Sequence, residues 1–347
     1  MKKRAEAKTR AYQGTNEAWE KTPLLKDTAA QIKAARKSRD TDDPVDLILY
    51  DPFAIRLTGL FIKAGWSANA VTVTSLAAGV IGSLFFYPQN RWINLIGIVI
   101  VIFAAVLDCC DGQVARLTHT SSEFGRILDG MVDIVNFLAI YIVLGLRMMK
   151  EPIPFTETPW SFWIWIVAFV TMLCHASQAR IADYYRGLHL FFLEGSNPAY
   201  LTRADKLEAE LKALPKDTPL YRRIYRRLYL IYTRNQERST PRAQRLLAAL
   251  EERGSIPEGL AEEYCAQSRG YVKLATVALT YNIRTWTLFI LLMLNLHPYY
   301  FPFVILLLEA VRILIIVRYE GIAKRIYAKY LTQDAASGNV RDAAEDR

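Results

Sequence analysis

Six long apolar stretches constrain this chain more than any other feature of its sequence. At a helical rise of about 1.5 Å per residue, roughly 20 residues cross a hydrocarbon core of about 30 Å. The second and third stretches are interrupted by aspartates where their ends meet. The six cover residues 69–88, 92–107, 130–149, 160–179, 274–296 and 298–317. The sequence therefore predicts an all-α integral membrane protein with six transmembrane helices.

The distribution of charge predicts the orientation of these helices. The formal net charge is +9, and an even number of spans places both termini on one side of the membrane. The loops on the opposite side contain only Arg91, Arg147 and Lys150 as basic residues. The positive-inside rule then places both termini in the cytoplasm. Because the charge flanks membrane spans, we expect membrane lipids with anionic headgroups, and no nucleic acid, as its partner.

Cysteine and histidine usage excludes two common classes of site. The four cysteines show no CxxC spacing, and Cys109 and Cys110 are adjacent at the cytoplasmic end of a predicted span. We expect all four to be reduced. The four histidines are scattered and form no ligand pattern, so no zinc site is predicted.

The polar and apolar segments divide the chain into six parts. Before the first span, apolar residues recur at helical spacing with Arg56 and Lys63 among them, as in a helix that lies in the membrane interface. After the fourth span, Thr240 and Pro241 predict a helix start and Gly254 its end. The parts are a basic cytoplasmic arm (1–43), an interfacial amphipathic helix (44–66), transmembrane helices 1–4 (67–186), a helical cytoplasmic insertion (187–270), transmembrane helices 5–6 (271–320) and a cytoplasmic tail (321–347).

A second helix of the insertion is predicted at about 219–237. Its tyrosines share one stripe with Leu228, and arginines flank the stripe. Aromatic residues rimmed by arginine are typical of a membrane interface. Packing of the same stripe against the rest of the insertion explains the pattern equally well, so both interpretations stay open.

Four aspartates gather where the second and third spans meet. Asp108 and Asp111 are three residues apart, and Asp129 and Asp133 are four apart, so each pair shares a helix face. A short turn joins the two helices, and we expect the pairs to face each other near the cytoplasmic surface. Four converging carboxylates repel one another, and two divalent cations would balance their charge. Oxygen ligands alone favour Mg²⁺ or Mn²⁺.

Small residues share the faces that carry the aspartates. Gly112 follows Asp108 by four residues, Ala115 follows Asp111 by four, and Gly125 precedes Asp129 by four. Close helix packing explains small residues alone, but it does not explain the four aspartates beside them. A metal-bridged diphosphate between the helices explains both. Arg116 then lies where it would neutralise phosphate charge.

These residues match the signature of a known family at every spacing, including the eight residues between Arg116 and Gly125. The chain resembles the CDP-alcohol phosphotransferase family over roughly 44–186 and 271–320, and the insertion at 187–270 is not part of the common core. The start of the first span looks like the family's Pro-Asn-x-x-Thr motif with Ala68 in place of proline, although Asn69 could instead cap the first span. The matching residues are Asp108, Asp111, Gly112, Ala115, Arg116, Gly125, Asp129 and Asp133.

The resemblance implies a function and a role for each matched residue. A substituted phosphate passes from a CDP-linked donor to an acceptor alcohol, and CMP is released. Asp108, Asp111 and Asp129 are the principal ligands of two divalent ions, and Asp133 acts as general base while also contacting metal. Residues that bind the CDP part are Asn69, Thr72, Asp108, Gly112, Ala115, Arg116 and Gly125. The resemblance also implies a homodimer formed through the membrane helices.

Three arginines are candidates for binding an anionic group of the acceptor. Arg180 lies at the cytoplasmic end of the fourth span, whereas Arg284 and Arg312 lie deeper in the last two. Charge inside a membrane is costly and usually functional, although Glu309 could pair with Arg312 for structural reasons alone. If the three arginines converge, a phosphorylated polyol is the favoured acceptor.

Other functions remain to be weighed. A choline- or ethanolamine-type phosphotransferase that uses diacylglycerol is the alternative within the family. A divalent-cation transporter is the alternative of another class, but it would have carboxylates spread through the membrane depth. A catalytically dead scaffold is disfavoured because all four aspartates are intact. Release of CMP from a CDP donor separates these functions.

Overall fold

The computed structural model describes residues 40–120, 123–195, 201–215 and 218–332, without the side chains of residues 123, 124, 126, 127 and 129. Every regular element in these ranges is helical. The predicted basic arm and cytoplasmic tail lie largely outside them. The helices are Asp51–Lys63 (α1), Ala68–Leu84 (α2), Arg91–Leu117 (α3), Glu123–Met148 (α4), Trp163–Leu193 (α5), Ala204–Ala213 (α6), Leu220–Ser239 (α7), Pro241–Arg253 (α8), Leu260–Ala278 (α9), Tyr281–Met293 (α10) and the helical run His297–Thr332 (α11).

The chain forms two compact units. The first contains Asp42–Met172 and Thr287–Tyr300, and the second contains Leu173–Trp286 and the chain from Phe301 onward. The aspartates of the motif belong to the first unit. The insertion and the three candidate arginines belong to the second.

In the first unit, α2 packs closely on α3 because glycines face each other. A Cβ on Gly97 would lie 2.7 Å from the Gly82 carbonyl oxygen, and one on Gly82 would lie 2.8 Å from Val101. Ser75 adds a hydrogen bond from its Oγ to the Ala104 carbonyl oxygen at 2.9 Å. Small residues thus let the helix backbones approach, as is common between helices in membranes.

A polar cluster joins the loops of the first unit at the ends of α3 and α4 that lie away from the motif aspartates. The Arg147 guanidinium donates to the carbonyl oxygen of Phe86 at 2.8 Å and to Asn94 Oδ1 at 3.0 Å. Arg147 also lies 3.6 Å from Glu151, whose other oxygen is 2.6 Å from His297 Nε2. The buried arginine therefore has both charge and hydrogen-bond partners, as burial of a charge requires.

In the second unit, the insertion is a set of three helices that packs on α11. Glu320 of α11 accepts hydrogen bonds from the backbone N–H groups of Arg242 and Ala243, at 2.7 and 3.2 Å. These are free N–H groups of the first turn of α8, which a carboxylate satisfies well. Tyr185 of α5 stacks on Tyr319 of α11 with ring centroids 3.9 Å apart.

Several apolar helices support a multi-pass membrane protein, but the count of spans differs from the predicted six. Within the described residues four helices are long and apolar enough to cross a membrane: Arg91–Leu117, Gly130–Met148, Trp163–Leu193 and His297–Thr332. α9 and α10 together make a fifth, bent by 44° at a short break. α2 is apolar but has only 17 residues, which is why it falls short.

The segment predicted as an interfacial helix is helical and leaves apolar side chains uncovered. A π-helical turn at Asp46–Tyr50 leads into α1. Tyr50 and Ala54 are buried, whereas Ile48, Phe53 and Leu60 are 78%, 55% and 60% exposed. This two-faced pattern is the one expected of a helix in the interface, and the interfacial location itself stays a prediction.

Candidate active site

Contacts with α1 orient the end of α3 that carries the first two aspartates. Gln113 accepts a hydrogen bond from Thr58 Oγ1 at 3.1 Å, and the Cys110 thiol lies 3.4 Å from the Ala54 carbonyl oxygen. At 100° per residue these contacts lie on the face of α3 opposite Asp108 and Asp111. Asp111 is buried and Asp108 is half-buried. The carboxylate face of α3 is thus turned away from α1.

Arg116 lies over the glycine of the motif. A Cβ on Gly112 would be 3.4 Å from Nη1 of Arg116, so the guanidinium occupies the space that a larger side chain would restrict. Gly112 stands one turn after Asp108 on the same face, and Ala115 one turn after Asp111. A cationic group and cleared space therefore accompany the two carboxylates, which is an arrangement suited to a phosphate group.

The first turns of α4 carry the second pair. Asp133 is exposed, and a Cβ on Gly130 would meet nothing within 4 Å. Gly125 is in the same helix, and the Asp129 side chain lies outside the described residues. The Asp133 side chain therefore lies at the surface of the first unit.

The predicted nucleotide-binding residues of α2 lie in its first turns. Ser67 caps the helix, since its Oγ accepts from the Ala70 N–H at 3.2 Å, so Asn69 is not the cap. Asn69 is half-buried in the first turn. Thr72 is buried, and its hydroxyl donates to the Ala68 carbonyl oxygen at 3.0 Å.

No group of three His, Cys, Asp or Glu side chains able to hold a metal ion occurs among the side chains that the structure describes. The described side chains include three of the four predicted ligands, Asp108, Asp111 and Asp133. Their donor chemistry fits Mg²⁺ or Mn²⁺, because carboxylate oxygens are the ligands that these hard cations prefer. The convergence of the two pairs stays a prediction.

The three candidate arginines differ in their contacts within the second unit. Arg284 is fully buried and donates to the carbonyl oxygens of Leu279 and Thr280 and to Gln178 Oε1, the last at 2.7 Å. Gln178 Nε2 in turn donates to Glu309 at 3.2 Å, and Arg312 donates to the same carboxylate at 2.9 Å. Arg284 and Arg312 therefore belong to one hydrogen-bonded network.

Arg180 is the candidate whose guanidinium donates the fewest hydrogen bonds among the described residues. Its Nη2 donates to Ser177 Oγ at 3.2 Å. Its Nε is buried and has no hydrogen-bond partner among the described residues. A buried donor without a partner is costly in an isolated chain, and an anionic ligand is one group that would satisfy it.

Sequence reasoning missed Asn136, which is buried one turn after Asp133. A Cβ on Gly79 of α2 would come within 2.6 Å of the Asn136 amide carbon, so the glycine makes room for this side chain. The signal was present, because an asparagine within an apolar span and three residues from an aspartate of the motif is unusual. Its position required knowledge of how α2 packs on α4.

Comparison with known proteins agrees with the motif. Residues 66–187 match the model of the CDP-alcohol phosphatidyltransferase family, which is a family of transferases. The resemblance predicted from the eight motif residues is therefore confirmed for residues 66–187. The matched range contains all four aspartates and ends at the start of the insertion.

Curated relatives of the chain are named as enzymes of phospholipid synthesis. The chain is 35% identical over 88 residues to a CDP-diacylglycerol–glycerol-3-phosphate 3-phosphatidyltransferase of Cereibacter sphaeroides, covering 24% of this chain and 40% of the relative. It is 35% identical over 78 residues to a putative cardiolipin synthase of Mycobacterium tuberculosis, covering 22% and 36%.

A third relative is a phosphatidylinositol phosphate synthase of Mycolicibacterium smegmatis. The two chains are 34% identical over 82 residues, which cover 23% of this chain and 35% of the relative. In all three comparisons the matched stretch spans less than half of the relative's own length.

Proposed function

We propose that the protein transfers a substituted phosphate from a CDP-linked donor to an acceptor hydroxyl and releases CMP, in the synthesis of a phospholipid or related polar lipid. The single observation that carries the proposal is the face of α3. There Asp108, Asp111 and the small residue Gly112 share one side of the helix, and the Arg116 guanidinium lies over Gly112. This segment matches a family of such transferases.

Asp108, Asp111, Asp129 and Asp133 would hold two Mg²⁺ or Mn²⁺ ions. Bound there, the ions would polarise the diphosphate of the donor and stabilise the charge of the departing CMP. The support for this assignment is the oxygen-only donor set and the spacing of each pair on one helix face.

The chain's own residues supply the remaining chemistry. Asp133, which is exposed, accepts the proton of the acceptor hydroxyl as that oxygen bonds to the phosphorus distal to cytidine. The bond from this phosphorus to the CMP oxygen breaks, and its electron pair leaves with CMP. Arg116 offsets the negative charge of the phosphates. Positioning and charge stabilisation account for most of the rate in such transfers.

The space beside the carboxylates would take the nucleotide. Gly112, Ala115 and Gly125 leave room for the diphosphate, and Asn69 and Thr72 of α2 hold the nucleoside part. Support for Asn69 comes from the finding that Ser67, and not Asn69, caps α2. The Asn69 amide is then not needed to cap the start of the helix.

The donor that we favour is CDP-diacylglycerol, because relatives of this chain are named as transferases that use it. A phosphorylated polyol remains the favoured acceptor. The Arg180 guanidinium donates to Ser177 among the described residues, which leaves it available to an anion and supports this choice. The more numerous hydrogen bonds of Arg284 and Arg312 make structural roles sufficient for those two.

We further propose six membrane spans, with α2 as the first and the bent pair of α9 and α10 as the fifth. Both termini and the active site then face the cytoplasm, in accord with the basic residues that flank the spans. A homodimer through the membrane helices is part of the same proposal, and it rests on the family resemblance.

The test is release of CMP from CDP-diacylglycerol by the purified full-length chain. Glycerol 3-phosphate, serine and inositol phosphate are supplied in turn as acceptors, with and without Mg²⁺. We expect acceptor- and metal-dependent release with one of the phosphorylated acceptors, and none from an Asp108→Asn variant. If no CDP-linked donor releases CMP, but the protein carries divalent cations into proteoliposomes, the transferase proposal is wrong and the transporter alternative is supported.

A further inference from the structure

Helix α7 of the insertion leaves a continuous apolar face uncovered. Leu220, Ile224, Leu228 and Ile231 recur at spacings of four and three residues, so they share one face, and Tyr221 borders it. These five side chains are between 48% and 72% exposed. A stripe of large apolar side chains this exposed is unusual on a soluble surface and marks a site of contact.

The other side of α7 packs against the rest of the insertion. The exposure is therefore confined to one face of the helix. Leu230 is buried against Ala204 and Leu207 of α6, and Tyr229 packs on the same cluster. Tyr229 also stacks between two further tyrosines of α7, with ring centroids 5.9 and 6.3 Å apart. In the tyrosine stripe predicted from the sequence, Tyr225, Tyr229 and Tyr232 are therefore half-buried. Tyr221 and Leu228 of the same stripe are exposed, at the uncovered face.

The helix is strongly basic. Between residues 220 and 239 it has one acidic residue, Glu237, and six arginines: Arg222, Arg223, Arg226, Arg227, Arg234 and Arg238. Glu210 and Glu208 of α6 pair with Arg226 and Arg234. Arg227 and Arg238 are exposed. Arg227 follows Ile224 by three residues and Arg238 follows Ile231 by seven, so both lie beside the apolar face. The uncovered face is thus apolar in its centre and positive at its edge.

Two contacts place α7 beside the point where the apolar stretch of α5 ends. Tyr232 Oη donates to Asp183 Oδ2 at 3.2 Å, and Gln236 Nε2 donates to the Arg180 carbonyl oxygen at 3.1 Å. Arg180 and Asp183 are the first charged residues after the apolar stretch 160–179. Ile231 and Leu228 adjoin Tyr232 on the helix surface, so the apolar face begins next to the end of a candidate span.

We propose that this face of α7 lies on the membrane surface, with its apolar side chains among the lipid chains and its arginines among anionic headgroups. Apolar residues on one face and arginines at its edge are the features of helices that bind anionic membranes. A second copy of the chain is a poorer partner, because a two-fold contact would bring two strongly basic helices together. The proposal is independent of the proposed reaction.

The test measures the depth of α7 in lipid with the full-length chain in nanodiscs. A polarity-sensitive fluorophore is attached at Ile224→Cys, and nitroxide lipids serve as quenchers. The matched control is Glu252→Cys, an exposed position of α8 in the same insertion. The parent chain, with its native cysteines, is carried through the labelling to measure background. Discs of phosphatidylcholine are compared with discs that also contain phosphatidylglycerol.

We expect quenching at position 224 to exceed that at position 252 several-fold in discs with phosphatidylglycerol, and to fall in discs without it. Adding Arg227→Glu should lower the quenching at 224 and leave that at 252 unchanged. Equal quenching at both positions would overturn the proposal. Strong quenching at position 224 that is equal in discs with and without phosphatidylglycerol would refute the assignment of anionic headgroups as the partner. Protection of the label that depends on protein concentration in detergent would show a second copy as the occupant and would also overturn it.

Discussion

Substitution of Gln178 by alanine tests whether the buried arginine of α10 is held by the protein or serves a substrate. Gln178 Oε1 accepts from Arg284 at 2.7 Å, and its Nε2 donates to the Val304 carbonyl oxygen at 3.0 Å and to Glu309 at 3.2 Å. Arg284 is fully buried. Loss of a hydrogen bond to a charged group costs about 1.5–3 kcal/mol. We expect Gln178→Ala to lower the free energy of unfolding by about 2–3 kcal/mol.

The chain offers a matched control in the same unit. Gln267 also accepts from an arginine, Arg325, at 3.0 Å, but Arg325 is exposed. Gln267→Ala should therefore change the free energy of unfolding by less than about 0.5 kcal/mol. Both variants are measured by SDS-induced unfolding in mixed micelles, and the KM for the acceptor is measured for each by CMP release.

The two quantities separate the alternatives for Arg284. If the arginine is structural, Gln178→Ala loses stability while the KM for the acceptor stays near that of the parent chain. Equal stabilities of the two variants would refute the reasoning from burial. A large rise in KM without a loss of stability would show that Arg284 binds the acceptor, as the sequence first suggested.

Four further outcomes follow from the described contacts. Asp133→Asn should lower kcat for CMP release by about 10²–10⁴ while leaving the unfolding transition unchanged, and an active variant would contradict the base assignment. Removal of divalent metal with EDTA should abolish CMP release, and Mg²⁺ or Mn²⁺ should restore it. Gly79→Ala should cost about 1–3 kcal/mol because its Cβ overlaps a buried amide, whereas Gly270→Ala, which meets open space, should not destabilise the helix. Burial would raise the pKa of Glu151, but its contacts with His297, Arg147 and Gln89 together outweigh that effect and lower the pKa. The resulting stability is present above about pH 4.3 and lost as the pH falls below it, so Glu151→Gln should flatten the acid limb of a stability profile.

Local chemistry made several features of the fold predictable. The helix start at Thr240 and Pro241 and its end at Gly254 are confirmed, since α8 covers Pro241–Arg253 and Gly254 has a φ of 70°. Proline at the first position and glycine in the left-handed conformation act through the backbone of their own neighbours. The eight motif residues were recognisable for the same reason, because their spacing alone carries the pattern.

Features that depend on distant residues were not predictable. The uncovered face of α7 follows from which of its sides packs on α6, and periodicity cannot distinguish the two sides when both are apolar. The short α2 likewise reads as a full span in sequence because Phe85 and Phe86 continue the apolar stretch, although the helix ends at Leu84. For α7 the packing on α6, and not local preference, decides which face stays uncovered.

The three arginines illustrate why composition alone cannot assign a binding role. All three are charged residues in or next to apolar spans, and the cost of burying charge made each a functional candidate. Gln178, the side-chain partner that satisfies Arg284, lies 106 positions away in the sequence, whereas Glu309 lies only three residues from Arg312. Arg180 keeps a buried donor without a partner among the described residues. Among the described residues the Arg180 guanidinium donates to Ser177, whereas Arg284 and Arg312 each donate more than one hydrogen bond to protein oxygens. We therefore expect the acceptor's charge to act on Arg180.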